Sequence, residues 1–228
     1  MTTVVHGSHG RRFARVIDAV PDADFVEVGP DQRHSDVGVD NADVLVVSSQ
    51  YPRHLDELLA LPVRGGHHMD TGVDGVPLEL LGGRPLTSGR GANATAIAEW
   101  ELAMILAEAK RLPDSWIDER PDHWFVTDLD LVAGHTLALV GFGEIGQRVA
   151  RRALAFDMRV RVRRRSRETP AMAGVATASG LPELLDGADH VVIAAPITPD
   201  LHHVLDDAAF EHMPHGAHLV NVSRGAHI

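Results

Sequence analysis

Three glycines at a fixed spacing are the residues of this chain best suited to chemistry. Gly141, Gly143 and Gly146 stand in the run GFGEIG, between a segment with strand propensity and a segment with helix periodicity. Such glycines allow a tight turn, a close approach of main chain to a pyrophosphate, and close packing of a helix on a strand. The start of the helix then offers main-chain N–H groups to the phosphates. The run 136–162 therefore predicts a dinucleotide-binding βαβ unit.

The glycine turn is the first part of the predicted cofactor site. We expect six consecutive residues to contact the cofactor: Gly141, Phe142, Gly143, Glu144, Ile145 and Gly146. A carboxylate beside a pyrophosphate is unfavourable, so the Glu144 side chain is expected to point to solvent. The alternative is a glycine-rich loop that only shapes a turn.

Residues about 20 positions past the glycines bear on the choice of nicotinamide cofactor. Folds that bind NAD usually carry an Asp or Glu there, which bonds the ribose 2′-OH. This chain has Arg163, Arg164, Arg165 and Ser166 instead. Guanidinium groups and a hydroxyl suit a 2′-phosphate, so we expect a preference for NADP, with NAD as the alternative. The competing interpretation is a solvated basic edge.

Two further predicted strands end in segments that could hold a ligand. One strand ends in APITP, residues 195–199, and the next strand ends in NVSRG, residues 221–225. Upstream of both, the segment NATAIAE opens a long helix at Asn93. Ligands of open α/β sheets bind at the carboxyl ends of the strands. The Arg224 guanidinium presents a planar fork that matches a carboxylate and keeps its charge.

In order and spacing, these segments resemble the D-isomer-specific 2-hydroxyacid dehydrogenases over most of the chain. The resemblance implies an oxidoreductase that transfers a hydride between NADP(H) or NAD(H) and a small 2-hydroxy or 2-oxo acid, similar to glyoxylate and hydroxypyruvate reductases. It makes Arg224 the catalytic residue that binds the acid's carboxylate and keto oxygen. It also implies cofactor contacts from Ala195, Pro196, Thr198, Val222 and Ser223, and substrate contacts from Met69, Asp70, Thr71, Gly72 and Asn93.

The chain departs from the family pattern in two places. Asp70 stands where a small residue is common, and we expect its carboxylate to point away because Asp often satisfies local turn hydrogen bonds. The family's catalytic Glu and His lie beyond the NVSRG segment, whereas this sequence stops at Ile228. We therefore expect a fragment of a longer enzyme that is inactive by itself, and His227 is not expected to replace the missing His.

Two other functions remain open from the sequence. A nucleotide-sensing, non-catalytic binding protein similar to the corepressors of the same scaffold would use the glycine turn and leave Arg224 structural. Another nicotinamide enzyme of this scaffold, such as a formate or phosphite dehydrogenase, would also use an arginine for an oxyacid.

The elements that must position these residues alternate between strands and helices. In the first 90 residues, strands are predicted at Thr3–Val5, Phe25–Val28, Val44–Ser48, Val63–Gly66 and Pro85–Thr87, and helices at Arg12–Val20, Arg53–Leu61 and Val76–Leu81. A long helix over 93–112 opens a second region, in which the βαβ unit is followed by helices at Leu181–Leu185 and Asp206–His212 and strands at Val191–Ala194 and Leu219–Val222. Such alternation favours parallel sheets covered by helices.

We therefore predict an α/β protein of two domains. Residues 1–90 form the N-terminal part of a flavodoxin-like α/β substrate domain, and residues 91–228 form a Rossmann-like dinucleotide-binding domain that is incomplete because its last strands are missing. The long helix and the stretch after it resemble the family's dimerisation region. Trp100, Trp116 and Trp124 are interface candidates in an expected homodimer, with core packing as the alternative.

The composition excludes several classes of function. The 228 residues carry a formal net charge of −11 and no cysteine, which argues against nucleic-acid binding and excludes disulfides and thiolate metal sites. No apolar run approaches the roughly 20 residues that span a bilayer, so we expect a cytoplasmic protein without a membrane partner. Most histidines are expected to be exposed, and no His–carboxylate spacing typical of a metal site occurs, so no metal is expected.

Overall fold

The chain forms two compact units in the computed structural model. The structure describes residues 2–7, 16–48, 53–123, 127–164 and 172–228. Contacts divide the chain between Ala92 and Asn93, and each unit contains one parallel sheet. Among the sequence predictions, Arg165, Ser166, Trp124 and the first part of the helix at 12–20 lie outside the described residues.

The N-terminal unit is a five-stranded parallel sheet. Its strands are β1 (Thr2–Gly7), β2 (Ala23–Val28), β3 (Val44–Val47), β4 (Gly65–His68) and β5 (Leu86–Ser88). They lie in the order β2-β1-β3-β4-β5, which is the flavodoxin-like arrangement. The helical segments are α1 (Leu55–Ala60), residues 16–19, and 3-10 turns at His34–Val37 and Leu78–Leu81. The turn at Leu78–Leu81 is shorter than the predicted helix because Pro77 precedes it and Gly82, in the left-handed region, ends it.

The core of this unit lies where the central strands meet α1. Val5, Leu45 and Val47 are fully buried, as are Leu58 and Leu59 of α1. Parallel strands that are covered on both faces are rich in β-branched and aliphatic residues, and β1 and β3 have this composition.

The C-terminal unit is a second five-stranded parallel sheet with helices on both faces. Its strands are β6 (Thr136–Val140), β7 (Arg159–Arg163), β8 (Val175–Thr177), β9 (His190–Ile193) and β10 (His218–Asn221), in the order β10-β9-β6-β7-β8. Its helices are α2 (Ala94–Ala109), α3 (Glu144–Ala155), α4 (Leu181–Leu185) and α5 (Asp207–Glu211), with 3-10 turns at Pro199–Leu201 and Gly225–His227. This is the strand order of a Rossmann fold, whose order reverses between β6 and β9.

Alternation along β6 produces the layers of this unit. Leu137 and Leu139 pack in a cluster with α2 and α3, while Ala138 and Val140 pack in a second cluster with α4 and α5. Because all five residues of β6 are buried, the glycine turn that follows has a rigid support. No helix of the described residues is both long and apolar enough to cross a membrane.

Four histidines differ from the expectation that most of these residues are exposed. His6, His68, His190 and His227 are all at most 3% exposed, rather than lying at the surface. Burial, followed by the neighbouring rings of His218 and His135, lowers the pKa of His190 to about 4. This ring is therefore neutral at pH 7.

Candidate functional site

The turn after β6 has the geometry that the glycine spacing predicts. Gly141 adopts φ +101°, and a Cβ atom there would lie 2.7 Å from the carbonyl oxygen of Ala194. A Cβ atom on Gly146 would overlap the carbonyl oxygen of Gly141, so α3 rests directly on the turn. Glycine is required at these two positions by the protein's own packing.

Gly143 is the glycine for which the protein itself gives no packing reason. It is the N-cap of α3, with extended backbone, and a Cβ atom there would meet nothing within 4 Å. A side chain would instead fill the space in front of the first main-chain N–H groups of the helix. These groups and the positive end of the helix dipole favour an anion there, so the turn fits a dinucleotide pyrophosphate.

The acidic side chain in the turn is directed away from this space. Glu144 is half-exposed and pairs with Arg148 one turn along α3. Arg148 also donates to the hydroxyl of Thr95 on α2, at 3.2 Å. The Glu144 carboxylate is therefore paired with a cation on the same helix. The main chain of Phe142 and Ile145 remains at the turn.

The predicted cofactor-selecting arginines lie at the carboxyl end of β7. Arg163 is the last residue of β7, and its carbonyl oxygen accepts a hydrogen bond of 2.9 Å from the N–H of Gly141. Arg164 follows directly and is partly exposed. Both residues thus lie at the same edge of the sheet as the glycine turn.

The loop after β10 is attached to the end of β9. The Ser223 hydroxyl donates to the carbonyl oxygen of Ile193 at 2.9 Å, and the side-chain amide of Asn221 donates to the carbonyl oxygen of Arg224 at 2.8 Å. Val222 packs against the core cluster formed by α2 and α3. Arg224 is exposed at this edge, with its main chain fixed from both sides.

His227 has a positioning role that sequence reasoning missed. Its ring is completely buried, with Nδ1 2.8 Å from the carbonyl oxygen of Leu201 and Nε2 3.1 Å from that of Ala195. The ring therefore joins the loop after β9, which includes Pro196 and Thr198, to the turn after Arg224. Its only sequence signal is its place two residues after the NVSRG segment.

The predicted substrate loop lies at the carboxyl edge of the other sheet. The Met69 N–H donates to the carbonyl oxygen of Val47 at 2.8 Å, so the residues after β4, including Thr71 and Gly72, begin against β3. Asp70 Oδ2 accepts a hydrogen bond of 2.7 Å from the hydroxyl of Ser48. The Asp70 carboxylate thus faces the unit itself, through a partner on the neighbouring strand rather than one in the local turn.

Gly89 lies at the same edge of this sheet, and sequence reasoning also missed this residue. Its N–H lies 2.9 Å from the carbonyl oxygen of His68 and 3.1 Å from that of Asp70, and a Cβ atom there would overlap the Met69 carbonyl. Asn93, the remaining predicted substrate residue, is the N-cap of α2 and belongs to the C-terminal unit.

The C-terminal unit therefore brings those predicted cofactor residues that the structure describes together with Arg224 at one edge of one sheet. The strand order and the glycine turn define a dinucleotide-binding α/β protein. A family model of the D-isomer specific 2-hydroxyacid dehydrogenase NAD-binding domain matches residues 102–228, more than half of the chain. The chain belongs to this family.

Individual relatives are similar over parts of their length. A glyoxylate reductase of Thermococcus gammatolerans is 36% identical over 143 residues, which cover 58% of this chain and 42% of that protein. A protein of Staphylococcus saprophyticus that is named as a 2-hydroxyacid dehydrogenase is 38% identical over 141 residues, covering 59% and 44%. The chain thus matches less than half the length of these relatives.

Solved structures share the whole fold of the chain. The TT0316 protein of Thermus thermophilus has a TM-score of 0.77 at 28% identity. The match covers 99% of this chain and 75% of the TT0316 chain. The D-lactate dehydrogenase of Aquifex aeolicus, solved with NAD and lactic acid, has a TM-score of 0.79 at 24% identity. The match covers 99% of this chain and 70% of that protein.

Proposed function

We propose that the chain is the nucleotide-binding and substrate-recognising part of an enzyme that transfers a hydride between a nicotinamide dinucleotide and a small 2-hydroxy or 2-oxo acid. The observation that carries the proposal is the open main chain at Gly143, held between two glycines that the fold itself requires. The family membership and the named activity of the Thermococcus relative, a glyoxylate reductase, support it.

Each group at the carboxyl edge has a role in this proposal. The N–H groups at the start of α3 bind the pyrophosphate, and the ends of β9 and β10 hold Ala195, Pro196, Thr198, Val222 and Ser223 along the cofactor. The nicotinamide supplies or accepts the hydride. Arg224 binds the acid's carboxylate and polarises its keto oxygen with a charge that is independent of pH. In the N-terminal unit, Met69, Asp70, Thr71 and Gly72 are proposed to contact the acid through their main chain.

We further propose a preference for NADP. Arg163 and Arg164 stand at the end of β7, where an acidic residue would bond the 2′-OH in an NAD-binding site. The fold is compatible with either cofactor, since the Aquifex structure contains NAD and an acyclic imino acid reductase of the same fold was solved with NADPH. The charge at this strand end favours the 2′-phosphate.

The proposed partners are the acid and a second copy of the chain. Trp100 and Trp116 are 51% and 69% exposed, which is unusual for such large apolar rings and supports a homodimer contact.

Calorimetric titration of the 228-residue chain with NADPH and NADH tests the proposal, because it reads binding rather than turnover. We expect saturable binding of both, with NADPH tighter. Arg164→Gln should remove most of the preference, whereas Arg159→Gln, an exposed arginine at the opposite end of the same strand, should leave it unchanged. Absence of heat with either dinucleotide would refute the proposal, and tighter binding of NADH would refute the cofactor preference alone.

A further inference from the structure

Three metal-ligating side chains converge at the amino edge of the C-terminal sheet, opposite the candidate active site. His190 and His218 are the first residues of β9 and β10, and the two strands pair with these residues in register. Glu108 approaches them from the last turn of α2. One ligand atom from each of the three lies within 4.8 Å of the other two.

The spacing of the two imidazoles matches a tetrahedral ion. Nδ1 of His190 lies 3.4 Å from Nδ1 of His218. A tetrahedral zinc ion with Zn–N distances of about 2.05 Å sets its nitrogen ligands about 3.3 Å apart. The two nitrogens therefore lie at the separation that a single tetrahedral ion requires.

A second set of residues orients the buried imidazole. Nε2 of His190 lies 3.1 Å from Nδ1 of His135, and Nε2 of His135 lies 3.5 Å from Oδ2 of Asp130. With an N–H on Nε2 of His190, that nitrogen donates to Nδ1 of His135, whose Nε2 faces the Asp130 carboxylate, and the His190 Nδ1 lone pair faces His218. Metal-bound histidines commonly have such a carboxylate-linked support on their other nitrogen.

The third ligand is placed where a cation is favoured. Glu108 lies at the carboxyl end of α2, where the helix dipole is negative and a carboxylate is unfavourable. Among the described residues it forms no ion pair. A cavity of about 500 Å³, open to solvent, is lined by Glu108 and His218, which gives an ion a route of entry.

We propose that His190, His218 and Glu108 bind one divalent transition-metal ion of the zinc type, with water as the fourth ligand. Two imidazoles and one carboxylate are a ligand set suited to zinc and unsuited to Mg²⁺, which prefers oxygen. The ion joins the starts of two neighbouring strands to the end of α2. The proposal is independent of the proposed enzymatic function, since no residue of the carboxyl edge takes part.

Calorimetric titration of the metal-free 228-residue chain with ZnCl₂ tests the site, with MgCl₂ as the comparison. We expect one high-affinity Zn²⁺ per chain and no Mg²⁺ binding at the same concentration. Co²⁺ should give the intense visible absorption of a tetrahedral complex. His218→Gln and Glu108→Gln alter partly or fully exposed side chains, so both variants should fold, and each should weaken Zn²⁺ binding at least tenfold.

The matched control removes two histidines elsewhere. His202 and His203 are exposed, and their ring centroids lie 4.1 Å apart, so they are the natural place for adventitious zinc binding. The double variant His202→Ala/His203→Ala should retain the high-affinity ion and the Co²⁺ spectrum. Absence of high-affinity binding, retention of it in both His218→Gln and Glu108→Gln, or its loss in the double control would overturn the proposal.

Discussion

The first turn of α3 is in direct contact with the turn that precedes it, because a Cβ atom on Gly146 would overlap the carbonyl oxygen of Gly141. Gly146→Ala should therefore destabilise the C-terminal unit, although alanine is the better helix former. Forcing a methyl group into a closely packed contact costs about 1–3 kcal/mol, and we expect a loss of that size in urea unfolding. Unchanged or increased stability would show that α3 can move away from the turn.

Gly143→Ala is the matched substitution three residues earlier in the chain. Its Cβ atom meets no protein atom within 4 Å, so the free energy of unfolding should change by less than about 1 kcal/mol. The same methyl group would lie in front of the helix N-terminus, and we expect dinucleotide binding to weaken at least tenfold by calorimetry. Wild-type affinity in this variant would contradict the proposed approach of the pyrophosphate.

Arg84 joins the carboxyl ends of α1 and of the 3-10 turn at Leu78–Leu81 in the N-terminal unit. Its guanidinium donates to the carbonyl oxygens of Leu59 at 3.0 Å and Leu80 at 2.9 Å, and also to those of Leu61 and Leu81. Lysine lacks the fork that reaches several carbonyls at once, so Arg84→Lys should cost about 1–3 kcal/mol in denaturant unfolding. Arg64→Lys is the control, since that side chain is 87% exposed and should change stability little.

Glu101 should make the stability of the chain depend on pH. Its carboxyl group is completely buried in α2 without a hydrogen-bond partner among the described residues, and burial raises its pKa from 4.5 to about 8. Between these two values the unfolded chain has lost the proton and the folded chain has kept it. The contribution to stability is therefore fully present below pH 4.5 and decreases as the pH rises to about 8, by up to about 1.4 kcal/mol per pH unit.

Glu101→Gln removes this titration. Thermal unfolding between about pH 5.5 and 8 should show a smaller loss of stability in the variant than in the wild type, and the variant should be the more stable protein at about pH 8. Glu99→Gln, on the exposed side of the same helix, should keep the wild-type pH profile. Parallel profiles for the wild type and Glu101→Gln would show that the carboxyl group titrates normally.

The parts of the fold that are local in sequence could be predicted. The glycine turn is recognisable because a strand, the turn and a helix follow one another within 20 residues, and each contributes its own pattern. The exact range of α4, Leu181–Leu185, was predicted for the same reason. The strand β8 was missed, since it has three residues, two of them exposed, and shows no alternation.

Contacts between neighbouring strands could not be predicted. His190 and His218 are 28 residues apart in sequence and become neighbours only through the pairing of β9 with β10. The expectation of no metal site rested on the spacing of residues that are close in sequence. Such spacing does not detect pairs that are brought together by strand pairing. The hydrogen bond from Ser48 to Asp70 is of the same kind, because it joins the ends of β3 and β4.

The position of β6 in its sheet has a consequence for how proteins of this type diversify. Arg163 ends β7 and Arg164 follows it on one side of β6, while Arg224 follows β10 on the other side. If these arginines have the roles that we propose, substitutions that exchange one coenzyme for another can accumulate without disturbing the strand that presents Arg224. On that proposal, selection can tune the redox partner and the organic acid as two separate traits.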